Sequence, residues 1–162
     1  MAEVVLDRKV LAGKIRALQA KGEKIVFANG CFDLLHVGHV RYLRGAKALG
    51  DKLVLALNTD ESIRRLKGPQ RPLMSLEDRL GVLSQFEMID FVTAFEEDTA
   101  TPLLLALKPD IQAKGTDYTP DNVPEKDTVA SYGGRVAVVG DPKDHSSKDL
   151  IKEILSRYGP KK

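Results

Sequence analysis

The sequence predicts one α/β domain, a three-layer sandwich with about five parallel strands in its central sheet. Three observations carry this expectation. Short apolar runs recur at residues 24–29, 52–58, 89–95, 110–114 and 135–140. Three of them are almost continuous in apolar residues rather than alternating, as strands covered on both faces must be. Segments of helical spacing lie between the runs with short connections, which makes the topology doubly wound and the sheet mostly parallel.

The elements follow in order. A leading helix belongs to residues 1–22, over 8–20, with Gly22 as its stop signal. The strand 24–29 (KIVFAN) comes next. After His39, the residues Val40, Leu43, Ala46 and Lys47 recur at helical steps. The strand 52–58 (KLVLALN) leads to a helix start at Thr59-Asp60. Ser75 with Asp78 three residues on resembles a capping box, opening a helix through Leu80 and Leu83. The strand 89–95 precedes a helix over 99–107, which Lys108-Pro109 closes because proline disfavours continuation. Strands at 110–114 and 135–140 complete the sheet. A last helix over 146–158 carries Leu150, Ile151, Ile154 and Leu155 on one face. Residues 67–74 and 115–127 read as long irregular loops, which in a compact domain are functional or mobile. Residues 159–162 read as a frayed tail. The arrangement is Rossmann-like, and ligands of such sheets bind beyond the carboxyl ends of the strands where strand order reverses.

Composition narrows the functional classes. The chain of 162 residues fits a single domain, 1–162, able to bury a core without staples. Its 25 basic and 23 acidic residues leave a net charge of +2, too balanced for a protein that coats a polyanion, so no nucleic-acid partner is expected. Cys31 is the only cysteine, which rules out an intrachain disulfide and fits a reducing, cytoplasmic setting. No stretch approaches the roughly 20 apolar residues of a membrane span. The first residues lack the apolar centre of a secretion signal.

The chemistry concentrates in the run from Asn29 to His39. Gly30 lets the backbone turn sharply after the strand, and Gly38 removes a side chain where a ligand must come close. His36 and His39 are three apart and face the same way at a helix start. Free backbone N–H groups there favour anions. Two imidazoles, a glycine and a helix N-terminus make a triphosphate cradle. In nucleotidyl transfer, charge builds on the α-phosphate oxygens as an acceptor attacks in line, and preorganised donors stabilise it without an enzyme nucleophile.

The His36-x-Gly38-His39 element after Asn29-Gly30-Cys31-Phe32-Asp33 resembles the hallmark of the cytidylyltransferase-like nucleotidyltransferase superfamily. Residues 24–66 are similar to the adenylyltransferase domain of ADP-heptose synthases. The similarity continues through Lys67-Gly68, Arg71-Pro72, Asp78-Arg79, Pro109-Asp110, Lys114-Gly115, Asp117-Tyr118 and Ser146-Ser147. It implies transfer of AMP from ATP to D-glycero-β-D-manno-heptose 1-phosphate, with magnesium accompanying the nucleotide, in a homodimer. It implies that His36 and His39 stabilise the transition state, with Lys67 and Arg79 near the phosphates. It implies that Asn29, Gly30, Cys31, Phe32, Gly38, Gly115, Asp117, Ser146 and Ser147 shape the nucleotide site, and that Asp33 and Asp60 lie near the acceptor. No protein metal site is implied. The family's third hydroxyl after Ser146-Ser147 is Lys148 here, His145 replaces an apolar or small residue, and Thr116 separates Gly115 from Asp117. These departures lie on the nucleoside side and leave CTP as an alternative to ATP. Related enzymes sharing the pattern transfer to glycerol 3-phosphate. The kinase half of the bifunctional synthases has no counterpart in this sequence, so a separate kinase is expected to supply the sugar 1-phosphate.

Plainer readings stand beside these. A zinc site from Cys31, His36 and His39 lacks a fourth ligand and a common spacing. Cys31 serves packing better than nucleophilic attack. Lys67 and Arg79 could be solvated surface charges, and Lys67 lies in a basic stretch with Arg64 and Arg65. Asp60 is as readily a helix cap as an acceptor ligand. Asp33 could hold its loop by accepting backbone N–H bonds. Ser146 can cap a helix and meet phosphate at once. Binding without turnover is a further alternative.

Overall fold

The structure, a computed structural model, describes residues 1–142 and 145–161. The strands are β1 (Glu3–Val4), β2 (Ile25–Gly30), β3 (Lys52–Asn58), β4 (Phe91–Phe95), β5 (Ile111–Lys114) and β6 (Arg135–Val138). The helices are α1 (Arg8–Ala20), α2 (Val37–Lys47), α3 (Asp60–Lys67), α4 (Leu76–Leu83), α5 (Thr101–Leu107), α6 (Lys126–Ser131) and α7 (Ser147–Tyr158). All strand pairs are parallel, in the order β1-β4-β3-β2-β5-β6. Six strands replace the expected five or so. The extra one, β1, is two residues long and pairs Glu3 with Phe91 and Val4 with Val92 at the sheet edge. Two residues carry no readable period, so only the partner strand defines it.

Alternation builds the two outer layers. Val26 and Ala28 pack with Leu43 and Ala46 of α2, whereas Ile25 and Phe27 pack with Leu11 and Ile15 of α1. Leu53, Leu55 and Leu57 of β3 face the α2 side, and Val54 and Ala56 the other. Each fully buried Leu contributes about 1.5–3 kcal/mol relative to exposure, which is why the central strands read as unbroken apolar runs. Helices α2 and α4 lie against one face of the sheet, while α1, α5 and α6 cover the other.

Local signals end the helices where expected. Asp7 caps α1 by accepting from Lys9 N and Val10 N, and Gly22 takes a positive φ of 87° just past its end. Ser75 Oγ accepts from Asp78 N at the start of α4. Lys108 adopts the left-handed conformation (φ 48°) that closes α5 before Pro109. Thr59, not Asp60, caps α3. Helix α6 begins at Lys126, inside the end of the loop expected at 115–127, and has no side-chain cap bond. No helix among the described residues is long and apolar enough to cross a membrane.

Candidate active site

The strand order reverses at β2, whose neighbours are β3 on one side and β5 on the other. Loops after β2, β5 and β6 therefore leave the same end of the sheet and diverge, opening a crevice. A cleft of about 430 Å³ lies there. His36, Gly38 and His39 line it from the start of α2. Lys67 and Arg71 come from the end of α3 and the loop behind it, Gly115 and Asp117 from beyond β5, and Ser146 and Ser147 from the start of α7.

The two histidines hold each other. His36 is the N-cap of α2, and its Nδ1 accepts from Gly38 N at 3.1 Å. His39 Nδ1 accepts from His36 N at 3.2 Å. This reciprocal pattern is a capping box built from imidazoles. With Nδ1 accepting in both rings, the proton of each neutral imidazole sits on Nε2, so both rings are Nε2–H donors. The ring centroids are 4.0 Å apart. Gly38 is required by this arrangement: a Cβ there would stand 2.9 Å from two atoms of the His36 ring. The close approach expected at Gly38 is made by His36 itself. Phe32 supports the pair from below. Its backbone is left-handed (φ 49°), a cost of about 1–2 kcal/mol, and its buried ring packs 5.0 Å from His39 and 6.3 Å from Tyr42. A Cβ on Gly30 would strike that ring at 2.9 Å.

Several expected site residues turn out to organise loops. Asp33 is 1% exposed. Its carboxylate accepts from Leu73 N and Met74 N at 2.8 Å each and from Arg71 Nε at 2.8 Å. Burial raises its pKa, but the Leu73, Met74 and Arg71 bonds outweigh that and hold it below the ordinary aspartate value. Arg79, expected at the phosphates, is 1% exposed and does not line the cleft. It donates to Met74 O (3.1 Å), Cys31 O and Asn58 O (2.8 Å each) and Asp60 Oδ1 (2.7 Å). One guanidinium thus ties the loops after β2 and β3 to the segment before α4. Asp60, expected at the acceptor, sits in the first turn of α3 and is engaged by Arg79. Asn29, Gly30, Cys31 and Phe32 lie behind the cleft rather than on its wall. Burial pushes the Cys31 thiol up despite the Lys67, Arg79 and Arg71 charges around it, which leaves it a poor nucleophile.

Ser146 caps α7 by accepting from Asp149 N (3.1 Å), and Ser147 Oγ donates to Leu34 O (2.9 Å). The last helix is thereby fastened to the histidine loop. His145 stacks on His36 at 6.4 Å, and Lys148 faces the cleft. Sequence reasoning did not single out Arg71, Arg41, Tyr42 and residues 139–142 as lining residues. Arg71 follows a run of turn residues and carries no period. Gly140 has a φ of 100° and lies against Tyr42. Among the described residues, no group of three His, Cys, Asp or Glu could hold a metal ion.

The profile of the cytidylyltransferase-like family matches residues 27–156. The bifunctional protein HldE of Pelobacter propionicus is 52% identical over 154 residues, covering 95% of this chain and 32% of that protein. Its counterpart in Geobacter metallireducens is 54% identical over 149 residues, covering 92% of this chain and 30% of the relative. The chain thus spans about a third of the length of these curated relatives. The crystal structure of the lipopolysaccharide core biosynthesis protein from Thermoplasma volcanium matches with a TM-score of 0.65 at 29% identity, over 75% of this chain and 100% of that one.

Proposed function

Because the chain belongs to the cytidylyltransferase-like family, we propose that it transfers AMP from ATP to D-glycero-β-D-manno-heptose 1-phosphate, giving ADP-heptose and pyrophosphate. The observation that carries this reading is the locked pair His36 and His39, on one cleft with Lys67 and Arg71 at the switch point of the sheet. The relatives named HldE support the sugar-phosphate acceptor.

The triphosphate lies along the start of α2, where backbone N–H groups and the positive end of the helix favour it. A phosphate oxygen of the acceptor attacks the α-phosphorus, and the bond from that phosphorus to the oxygen bridging to the β-phosphate breaks. Pyrophosphate leaves with the electron pair. The Nε2–H groups of His36 and His39 donate to oxygens on which charge grows, and Lys67 and Arg71 offset charge on the departing pyrophosphate. Phe32 and the two capping bonds hold the rings before substrate arrives, so little reorganisation is left for the reaction. Magnesium needs only one or two protein carboxylates when phosphates supply its other ligands. Asp117 and Asp141 are the carboxylates on the cleft wall, and they would hold it. The ion would supply neutralisation of the phosphate oxygens.

Pyrophosphate release tests the reading, with ATP and CTP each offered heptose 1-phosphate and glycerol 3-phosphate. Release with ATP and heptose 1-phosphate alone is expected. Release with CTP and glycerol 3-phosphate would keep the mechanism and change the substrates. ATP-induced stabilisation without release from any pair would make the chain a binding module. We further propose a cytoplasmic homodimer, which light scattering checks.

A further inference from the structure

The start of α7 reaches the histidines. Ser147 Oγ donates to Leu34 O at 2.9 Å, and the His145 ring stacks on that of His36 with centroids 6.4 Å apart. The N-termini of α2 and α7, helices of 11 and 12 residues, therefore open on one cleft. None of α7's residues is buried, so what its fastening positions is the cleft wall, not the core. The resemblance assigns Ser146 and Ser147 to the nucleotide, yet their hydroxyls are committed. Ser147 has one hydroxyl proton, and Leu34 O takes it. Ser146 Oγ accepts from Asp149 N, which withholds that N–H from a ligand.

The cations of the cleft divide by their partners. Arg41, Lys67, Arg71 and Lys148 line it. Arg41 pairs with Asp141 at 3.1 Å, and Arg71 with the buried Asp33 at 2.8 Å. Lys67 and Lys148 neither bond nor pair with any described residue. Lys67 ends α3, and Lys148 is the second residue of α7. A lysine ammonium is a compact charge with three donors on a flexible stem, and Lys148 stands where the resemblance has a hydroxyl. At the start of α7 it adds a full charge to the positive end of the helix.

Resting on the nucleotidyl transfer proposed above, we infer that Lys148 is a catalytic residue of this chain, whose ammonium holds the β- and γ-phosphates from the α7 side. As the acceptor's oxygen bonds to the α-phosphorus, the bond from that phosphorus to the bridging oxygen breaks and its electron pair leaves with pyrophosphate. Lys148 keeps its proton and offsets that charge. The same contact makes pyrophosphate itself a ligand of the free protein.

Calorimetry of magnesium pyrophosphate binding, with no acceptor present, tests this on Lys148→Ala, Lys148→Arg and Lys152→Ala. Lys152 lies one turn further along α7, outside the cleft. Lys148→Ala weakens binding about fivefold or more, as loss of a charge-assisted bond at an exposed site does. Lys148→Arg restores binding to within about twofold, because it keeps the charge, and Lys152→Ala leaves it within about twofold. In turnover, Lys148→Ala lowers kcat/KM for ATP about fivefold or more and leaves KM for heptose 1-phosphate within about twofold. Pyrophosphate binding unchanged in Lys148→Ala overturns the inference. So does equal weakening in Lys152→Ala, which would mark general attraction by the surface charge, and so does a wild type that binds no pyrophosphate. A wild type that binds pyrophosphate through Lys148 but turns over no heptose 1-phosphate upholds the inference and overturns the acceptor proposed above, so the two failures are distinct.

Discussion

Replacing Asp33 by Asn keeps its size and removes its charge. The carboxylate is buried and accepts from Leu73 N, Met74 N and Arg71 Nε. Bonds to a charged group contribute about 1.5–3 kcal/mol each, and breaking a buried pair while leaving its partner costs about 3–5 kcal/mol. The amide retains one acceptor oxygen, so about 3 kcal/mol of the stability is lost. With a urea m-value of about 2 kcal/mol/M, the unfolding midpoint falls by about 1.5 M at pH 7. The pH dependence fixes the sign. The folded pKa of Asp33 is lowered, so its contribution is present above the unfolded value of about 3.9 and disappears as pH falls through the lower folded value. The midpoints of wild type and Asp33→Asn therefore stay apart above about pH 5 and converge below about pH 4. Turnover falls about tenfold, because the loop that brings Arg71 to the cleft loses its anchor. Midpoints within about 0.3 M of each other at pH 7, beyond extrapolation error, would refute the assignment of Asp33 as the loop's anchor.

The remaining outcomes are as direct. His36→Ala or His39→Ala lowers kcat at least about a hundredfold with the circular dichroism spectrum retained, since each removes a transition-state donor; near-normal turnover in both would overturn the mechanism. Arg79→Ala removes four bonds to three loops and lowers stability by about 3–5 kcal/mol in urea titration. Full stability with a raised ATP KM would instead return Arg79 to the phosphates. Gly38→Ala drives a methyl group into the His36 ring, so kcat falls about tenfold or more while Tm moves little, and crystallography of the variant would show the ring turned.

The layered fold was legible because its signals are local. Central strands buried on both faces must be continuous apolar runs, and Ser75, Ser146 and Gly22 mark helix ends through bonds or φ values made within a few residues. The strand β1 and helix α6 were not legible, since one is too short for a period and the other has no cap. In the site, His36, His39 and Gly38 stood out because a single helix turn relates them. Arg71 did not stand out: it reaches the cleft through a loop that Asp33, 38 positions earlier, holds in place.

The amino-acid sequence by itself determined the alternation of strands and helices, the turn that pairs the histidines and the place of the cleft at the end of the first long strand. Only the tertiary structure decided which charges face the cleft and which are spent beneath it. The family resemblance makes Asp33, Asp60 and Arg79 ligands, yet the buried charges of Asp33 and Arg79 must find partners before they can serve a substrate, and the partly exposed Asp60 is one of those partners. Those partners come from loops far apart in the chain, where no local pattern records them.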